Sequence, residues 1–508
     1  MTFGQIGLVA LAIYLLALVV VAEIARRARR DSSPSDHFLA ARDLGVFVLF
    51  LTLYATAYSG NSLLGYPGKA YRSGFSFIMA TGFMMSIVVV FHALAPRLRP
   101  VAIAEGFVTP GDWVRHRFAG QPGARPLVLG VGTLMCIALA NFLLAQLQAM
   151  GHMTGRVTDG MISYEVGVVG LALVILSYES RGGMRAVAWT DAAQGILMLV
   201  GLGGLLWWLI GTAGGLGAIT TRVAEVRPSA VAIPDATVCA NWFSSLLLIG
   251  LGSVLYPQAI QRVFAARSGG VLARSFAVMT FMSLLTTSVV TLIGIAAIPR
   301  LDLGRGAASD EVTPLLLQQW AGDGGAHMLG AVLVFLGALA AIMSTADSCL
   351  LSLGSLAAGD LLGRSGRDPE TTRLGKALAA GILLLMVPLA MWGQLTLWRL
   401  IELKMELLVQ CVPAFLLAMH WPRLQALPTF WGLVVGSACA SAMALAGVKT
   451  LGGVHAGLVG LVVNAGIACL GSLARPPRAS ASSSPPTSRR GTRRGRVREP
   501  GSARARSR

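Results

Sequence analysis

The sequence predicts an all-α membrane protein with about thirteen transmembrane helices. Of its 508 residues, 55% are hydrophobic and 13% are charged, a balance that is rare in soluble domains. Apolar runs near 20 residues recur along the chain, and a helix of about 20 residues crosses the ~30 Å hydrocarbon core of a bilayer. Basic residues also concentrate in alternate loops, as expected for a chain that crosses a membrane repeatedly.

Each candidate span is an apolar run of sufficient length, and the first of them is predicted to be retained. The run "GLVALAIYLLALVVVAEIA" has no basic segment before it, and "RRARR" follows it, so it does not resemble a signal peptide. The spans lie at residues 4–25, 46–66, 73–95, 126–150, 164–180, 190–212, 240–260, 274–298, 328–360, 375–394, 397–420, 428–447 and 453–473.

The distribution of basic residues predicts the orientation of the chain in a cell membrane. With the N-terminus outside and the C-terminus in the cytoplasm, about 31 of the 41 lysines and arginines fall in cytoplasmic segments and about 8 in external loops. An even number of crossings would place the basic C-terminal tail outside and break this pattern. The odd count and the orientation therefore support each other.

Several function classes are excluded by composition. The tail, residues 474–508, is rich in Pro, Ser and Arg, supplies more than half of the net charge of +18, and is predicted to be disordered beside anionic lipid. It lacks the aromatic residues that would interleave with arginines in a nucleic-acid-binding segment. The sequence shows no C-x-x-C pair, no phosphate-binding loop and no nucleophile–base set, so we expect no cofactor and no enzyme activity.

Two predicted spans are interrupted by small residues and then by Tyr-Pro. The second span reads "LYATAYSGNSLLGYPG", and five helices later the chain reads "LLLIGLGSVLYPQAIQR". Because non-helical backbone at membrane depth is found only beside protein or a watery cavity, such breaks point to a binding site. The matching positions predict two five-helix repeats of opposite orientation, although small residues also serve ordinary helix packing.

Oxygen-bearing side chains form a stripe on the ninth span, within "AAIMSTADSCLL". Ala341, Ser344, Thr345 and Ser348 share one helical face, and Asp347 lies beside them. Hydroxyl groups in membrane helices often bond to their own helix, but an intramembrane carboxylate is a candidate functional group. Neutral oxygens without a thiol or imidazole suit a hard cation, and the prediction is sodium.

Two further polar sets leave alternatives open. Asp191 and Gln194 stand one turn apart at the head of the sixth span. Three roles remain open for Asp191: an acid that interacts with the helix dipole, a second cation ligand, or a gating partner of Asp347 and Ser348. The eleventh span carries charges that suit either an external gate or the wet start of a helix. These residues are Arg399, Glu402, Lys404, Glu406 and Gln410, of which Gln410 is deep enough to face a substrate.

Taken together, these motifs resemble the sodium:solute symporter family, which includes proline, pantothenate, sugar and monocarboxylate symporters. The resemblance runs from about residue 35 to 445 and rests on "SGNSLLGYPGKAYRSGF", "VTPGDWVRHRF", "WTDAAQG", "YPQAIQRVFAARS" and "AAIMSTADSCLL". It implies a LeuT-type fold of five plus five inverted helices. The expected divisions are an extra helix and loop (1–45), the two repeats (46–212 and 213–420), two further helices (421–473) and the tail (474–508).

The resemblance also implies a sodium site and a co-transported ion. The carbonyls of Ala55 and Tyr58 match the broken-helix ligands of the family. The carbonyl of Ala341 and the hydroxyls of Ser344 and Thr345 match the ligands of the facing helix. We therefore expect Na⁺, and not protons, to drive transport.

Some family members hold a second sodium ion, and the matching positions here are Asp191, Asp347 and Ser348. Asp347 replaces a hydroxyl, so a second ion and a neutralising carboxylate both remain open.

The expected substrate is a small organic acid or amino acid bound at the two breaks. Ser62, Thr81 and Met84 stand where sugar symporters have polar ligands, which argues against a sugar, and Ala57 replaces an acid of the proline type. Exposed amides at a half-helix N-terminus are suited to a carboxylate. A membrane sensor without its own kinase domain is the alternative function. The candidate substrate residues are Ser59, Gly60, Asn61, Ser62, Gly252, Ser253, Tyr256 and Gln410.

Overall fold

A computed structural model describes residues 2–27, 34–303, 306–364, 369–392 and 395–474. The predicted disordered tail lies outside these residues, apart from its first position. Within them the chain is almost entirely helical, with one hairpin formed by β1 (Thr450–Leu451) and β2 (Val454–His455).

The α-helices follow one another through short connections. They are α1 (Phe3–Arg27), α2 (Pro34–Leu39), α3 (Val46–Ala57), α4 (Tyr66–Ser73), α5 (Phe83–Glu105), α6 (Pro110–Arg117), α7 (Ala124–Val157), α8 (Tyr164–Ala213), α9 (Leu216–Val226), α10 (Ala236–Ser253), α11 (Pro257–Ala265), α12 (Gly269–Ala296), α13 (Val312–Gly322), α14 (Gly325–Leu356), α15 (Pro369–Trp392), α16 (Leu397–Leu408), α17 (Ala418–His420), α18 (Ala426–Leu445) and α19 (Ala456–Leu473). Three π-helical segments lie at Asn61–Gly65, Ala357–Leu361 and Pro413–Leu417.

Each of the thirteen predicted spans overlaps helical structure. Nine helical stretches of the described chain are long and apolar enough to cross a membrane, and three shorter apolar stretches accompany them. The prediction of an all-α, multi-pass membrane fold is therefore confirmed, while the count of thirteen crossings stays a prediction.

Both predicted helix breaks are present. α3 ends at Ala57, and a π-helical segment separates it from α4, whose second residue is Pro67. α10 ends at Ser253, and α11 begins at Pro257 after a short non-helical stretch. Proline fits the first turn of a helix because its missing N–H would have had no partner there.

Contacts between helix ends define two faces of the molecule. On face A, the Leu44 N–H before α3 donates to the Ala265 carbonyl at the end of α11 (3.2 Å). On face B, the Asp310 carboxylate lies 3.9 Å from Arg72 at the end of α4 and accepts the Leu397 N–H at the start of α16 (2.7 Å). The helices between these contacts therefore run from one face to the other.

α8 is a single helical element of 50 residues where the sequence predicts two spans. Its first residue, Tyr164, follows the end of α7, where Arg156 pairs with Glu311 (2.7 Å). Near its other end, the Trp208 indole donates to Asp323 (2.8 Å). Glu311 and Asp323 flank α13 on face B, so both ends of α8 lie there. A straight helix of this length would extend about 75 Å, so α8 comprises two antiparallel limbs, as two spans require.

α14 packs closely against the second limb of α8 because small residues bring their backbones together. A Cβ atom added at Gly201 would lie 3.0 Å from the Val334 backbone, and one added at Gly337 would lie 3.1 Å from the Leu197 carbonyl. Gly201 and Val334 are each ten residues from Asp191 and Ser344, respectively. The antiparallel register thus places the predicted acid opposite the predicted hydroxyl stripe.

Candidate ion and substrate site

The break after α3 frees backbone groups in the interior of the protein. Tyr58 caps the helix with extended backbone, and its hydroxyl donates to the Ser283 carbonyl of α12 (2.8 Å). The Gly60 N–H donates to the Gln146 side chain (3.0 Å) instead of to the carbonyl of Thr56. Carbonyl oxygens in this stretch are therefore available to a ligand.

The oxygen stripe of α14 lies against this break. A Cβ atom added at Gly60 would lie 2.8 Å from Ile342, one residue beyond Ala341. Ala341, Ser344 and Thr345 are all buried, and Ser344 donates its hydroxyl hydrogen to Asp191. Among the described residues, the Thr345 hydroxyl has no hydrogen-bond partner.

Asp191 is the centre of a buried polar cluster that includes an arginine. Its carboxylate accepts the hydroxyls of Thr52 and Ser344 and lies 3.1 Å from the Arg262 guanidinium. Arg262 also donates to Ser348 (2.8 Å) and to Thr52 (3.0 Å). One carboxylate thus connects α3, α8, α11 and α14.

The contacts in this cluster bear on the three roles considered for Asp191, namely a helix-end acid, a second cation ligand and a gating partner. A helix-end acid would lie exposed beside its own helix, whereas Asp191 is fully buried and ion-paired. Ser348, the predicted second-site hydroxyl, binds the Arg262 guanidinium, and Asp347 is buried close by. A second metal cation at this place would have to displace the guanidinium, so the structure favours the interpretation of Asp191 as a polar partner of α14.

Sequence reasoning missed Arg262. In the sequence, Arg262 follows Pro257 and precedes Arg267, which gives it the appearance of a loop charge. A signal was present, since an intramembrane carboxylate such as Asp191 requires a cationic or hydrogen-bonding partner.

A cavity extends from the two helix breaks towards face A. Its void spaces, including the part continuous with solvent, total about 850 Å³. Its lining combines polar side chains with apolar ones such as Met84, Phe91 and Phe276. Lys404 of α16, which is only 1% exposed, also lines the cavity. The interpretation of Lys404 as part of the wet start of a helix is wrong because the residue is buried beside the breaks, and its assignment to an external gate stays a prediction.

Most of the predicted substrate residues line this cavity. The side chains that do so are Ser59, Asn61, Ser62, Ser253 and Tyr256. Gly60 has its N–H bonded to Gln146, and Gly252 packs against Met405.

The prediction for Gln410 is wrong. Its side-chain amide donates to the Gly457 carbonyl of α19 (2.8 Å), and its backbone carbonyl accepts from the Asn464 side chain (2.7 Å). Gln410 therefore fastens α19 and is not among the residues that line the cavity.

Aromatic rings close the cavity towards face B. Tyr66, at its edge, lies 5.8 Å from Phe77 and 5.7 Å from Trp398, measured between ring centroids. Trp398 also contacts Phe77 edge-on at 5.0 Å and stacks on Phe83 at 5.9 Å. These four residues, which we name the ring cluster, come from four different helical segments.

Beyond the ring cluster, Asp310 fastens face B. Its carboxylate is buried beneath the start of α16, and burial raises the pKa of Asp310 from 3.8 to about 6. Arg72 and the Leu397 N–H oppose this rise but do not cancel it.

Comparison with known proteins identifies the family. The model of the sodium:solute symporter family matches residues 37–436. The high-affinity proline transporter PutP of Bacillus subtilis is 26% identical over 428 residues, which cover 83% of this chain and 89% of the relative. The sodium/pantothenate symporter of Escherichia coli is 26% identical over 453 residues, which cover 86% and 90%.

Solved structures share the fold. A substrate-bound, outward-open Na⁺-coupled sialic acid symporter superposes with a TM-score of 0.75 at 19% identity, covering 94% of this chain and 99% of the other. Mhp1, a nucleobase-cation-symport-1 family transporter, superposes with a TM-score of 0.55 at 16% identity, covering 89% and 97%. The LeuT-type architecture with its two broken helices is thereby confirmed. From the family match over most of its length, this chain belongs to the sodium:solute symporter family and carries out sodium-coupled symport of a small solute.

Proposed function

We propose that the co-transported sodium ion binds between the break after α3 and the oxygen stripe of α14. The ligands are the carbonyls of Ala55, Tyr58 and Ala341 and the hydroxyls of Ser344 and Thr345. The supporting observation is the Thr345 hydroxyl, which is fully buried and has no hydrogen-bond partner in the described chain. A buried hydroxyl is costly when unpaired, and a cation would satisfy it.

Sodium at this place would couple the ion to the solute. It would hold α3 against α14, and the same break in α3 supplies Ser59, Asn61 and Ser62 to the cavity. An ordered break would bind solute more tightly, and by thermodynamic linkage the solute would raise the affinity for sodium by the same factor.

The cavity and the basic loops support a direction of transport into the cytoplasm. Face A carries the arginine-rich connections that the sequence assigns to the cytoplasm, and the cavity extends towards it. We infer that the described conformation exposes the solute site to the cytoplasm and that alternating access delivers solute there. One charge moving through 100 mV contributes about 2.3 kcal/mol, or roughly a fortyfold accumulation.

The solute is a small organic molecule. The names of the relatives include an amino acid, proline, and an organic acid, pantothenate. Both classes fit the sequence-based expectation of a carboxylate or an amino acid.

Thr345→Val tests the sodium site. Valine keeps the shape of threonine and removes a buried oxygen that has no hydrogen-bond partner in the described chain, so the variant should unfold at no lower a temperature than the wild type in sodium-free buffer. The stabilisation of the purified chain by NaCl relative to choline chloride should disappear, measured as the thermal unfolding midpoint over a sodium titration.

Ser288→Ala is the matched control, because the Ser288 hydroxyl bonds to its own helix at the Leu284 carbonyl (2.8 Å). Its sodium response should equal that of the wild type. A Thr345→Val protein that keeps the wild-type half-saturating sodium concentration would refute the site.

A further inference from the structure

We propose, building on the symport function above, that the solute is an organic monocarboxylate without an ammonium group and that its carboxylate binds the Lys404 ammonium. The proposal narrows the two substrate classes that the sequence and the relatives leave open. It rests on the charges and unpaired polar groups that face the central cavity.

Lys404 is a buried lysine with no acidic side chain paired to it among the described residues. Its Nζ lies 3.2 Å from the centroid of the Phe142 ring and 5.7 Å from that of Tyr256. In the part of the chain that the structure describes, its ammonium makes no ion pair and no hydrogen bond. The Lys404 ammonium therefore faces the cavity with three donors unused.

Aromatic contact alone does not balance the burial of this charge. A cation–π contact is worth far less than the hydration that an ammonium ion loses when it is buried. A charged group in such a place is retained for function or paired with an opposite charge. A bound anion would supply the missing partner.

Two neutral groups that line the same cavity as Lys404 also lack hydrogen-bond partners among the described residues. Neither atom of the Asn61 side-chain amide makes a hydrogen bond within the described residues, and neither does the Tyr256 hydroxyl. Both residues are at least nine-tenths buried and line the same cavity. The Asn61 NH₂ and the Tyr256 hydroxyl are suited to donate to the second oxygen of a carboxylate held by Lys404.

The other lining side chains disfavour an amino acid. No Asp or Glu is among the described residues that line the cavity, and its second cation, Arg262, is already paired with Asp191. The ammonium of an amino acid would find no acidic side chain to pair with among these lining residues, whereas their many apolar side chains suit a hydrocarbon chain or ring. Asn61 Oδ1 and Gln258 Oε1 remain to accept from a hydroxyl group on the acid.

Matched ligand sets test the proposal on the purified full-length chain. Each set holds the carbon skeleton constant: propionate, propionamide and alanine; and 3-phenylpropionate, 3-phenylpropanamide and phenylalanine. Straight-chain monocarboxylates from acetate to nonanoate complete the panel. In NaCl, at least one monocarboxylate should raise the thermal unfolding midpoint and should enter proteoliposomes, while the amides and amino acids should do neither.

Lys404→Gln should weaken binding of the stabilising acid at least tenfold, and Lys404→Arg should weaken it less because the charge is kept. Lys449→Gln, the same change at an exposed lysine, should leave binding unchanged. Without ligand, Lys404→Gln should unfold at no lower temperature than the wild type, since it removes an unpaired charge. A folded Lys404→Gln protein that binds the acid with wild-type affinity would overturn the proposal, as would stabilisation by alanine or phenylalanine, or by no monocarboxylate at all.

The sodium response separates this proposal from the proposed function. Lys404→Gln should keep the stabilisation by sodium alone, because Lys404 is not a proposed sodium ligand. A wild-type protein that responds to sodium but to no carboxylate would overturn only the inference about Lys404. A wild-type protein without a sodium response would overturn the sodium site itself.

Discussion

Two buried cations face the same cavity, and their surroundings differ sharply. Among the described residues, the buried arginine is Arg262, which is 0% exposed, and the buried lysine is Lys404, which is 1% exposed. Arg262 lies 3.1 Å from the Asp191 carboxylate. It also donates to the hydroxyls of Thr52 and Ser348 on other helices and to the Gln258 carbonyl of its own helix. Lys404 contacts two aromatic rings and pairs with no acidic side chain of the described residues.

The difference separates a structural charge from a binding charge. A guanidinium with four of its five N–H donors engaged holds helices together and offers little to a ligand. A compact ammonium beside unpaired polar groups is suited to receive one. Mutations that remove each charge should therefore act on different quantities, stability in one case and binding in the other.

The largest effect is expected for Arg262→Leu. It leaves the Asp191 carboxylate buried without its cation, and breaking such a pair typically costs about 3–5 kcal/mol. Urea unfolding of the purified chain should show this loss. Adding Asp191→Leu should recover most of it, since no buried charge remains. Wild-type stability in Arg262→Leu would show that Arg262, like Lys404, is not needed for stability, and would contradict the distinction between the two residues.

A smaller effect is expected at Asp310, whose cation is 3.9 Å away instead of 3.1 Å. Because burial raises its pKa from 3.8 to about 6, the folded protein holds this proton more tightly than the unfolded chain does. The free energy of unfolding should therefore fall as the pH rises from about 4 to about 6, by about 3 kcal/mol in total.

Asp310→Asn should remove this decrease, because asparagine does not titrate and its carbonyl can accept the Leu397 N–H. Asp302→Asn, at an exposed aspartate before the same segment, serves as the control and should keep it. An unchanged pH profile in Asp310→Asn would show that the titration belongs to another group.

The smallest effect is expected from the aromatic support of Lys404. A double-mutant cycle of Lys404→Met and Phe142→Leu should give a coupling energy of about 1 kcal/mol, typical of a cation–π contact. The corresponding cycle of Arg262 and Asp191 should give a larger value, measured by the same unfolding assay. Equal couplings would mean that Phe142 satisfies Lys404 as well as a carboxylate satisfies Arg262.

The fold was predictable because its signals are local. Apolar runs, the two small-residue and Tyr-Pro breaks, and the hydroxyl stripe are each read within about 20 residues. The sequence predicted two separate helices where α8 is one continuous element, because each of its limbs is long enough to cross a bilayer. The two-fold division into residues 46–212 and 213–420 stays a prediction.

The site was predictable only in part because burial of a charge depends on distant partners. Arg262 owes its place to Asp191, 71 positions earlier in the chain, and to Thr52 on another helix. Lys404 follows Arg399 and Glu402 on a helix that begins in the wet region, so its sequence context resembles a surface. The prediction for Gln410 was wrong for the opposite reason. Its apolar sequence neighbours gave no sign that it hydrogen-bonds to α19.

The ring cluster adds a mechanical consequence. Tyr66 belongs to α4, beyond the break, and Trp398 belongs to α16, so the cavity cannot open towards face B until these rings separate. Contacts between rings are short-ranged and are lost together over a displacement of an ångström or two. The barrier on that side should therefore behave as a latch that is either shut or released, which would keep sodium and solute from leaking past each other during the cycle.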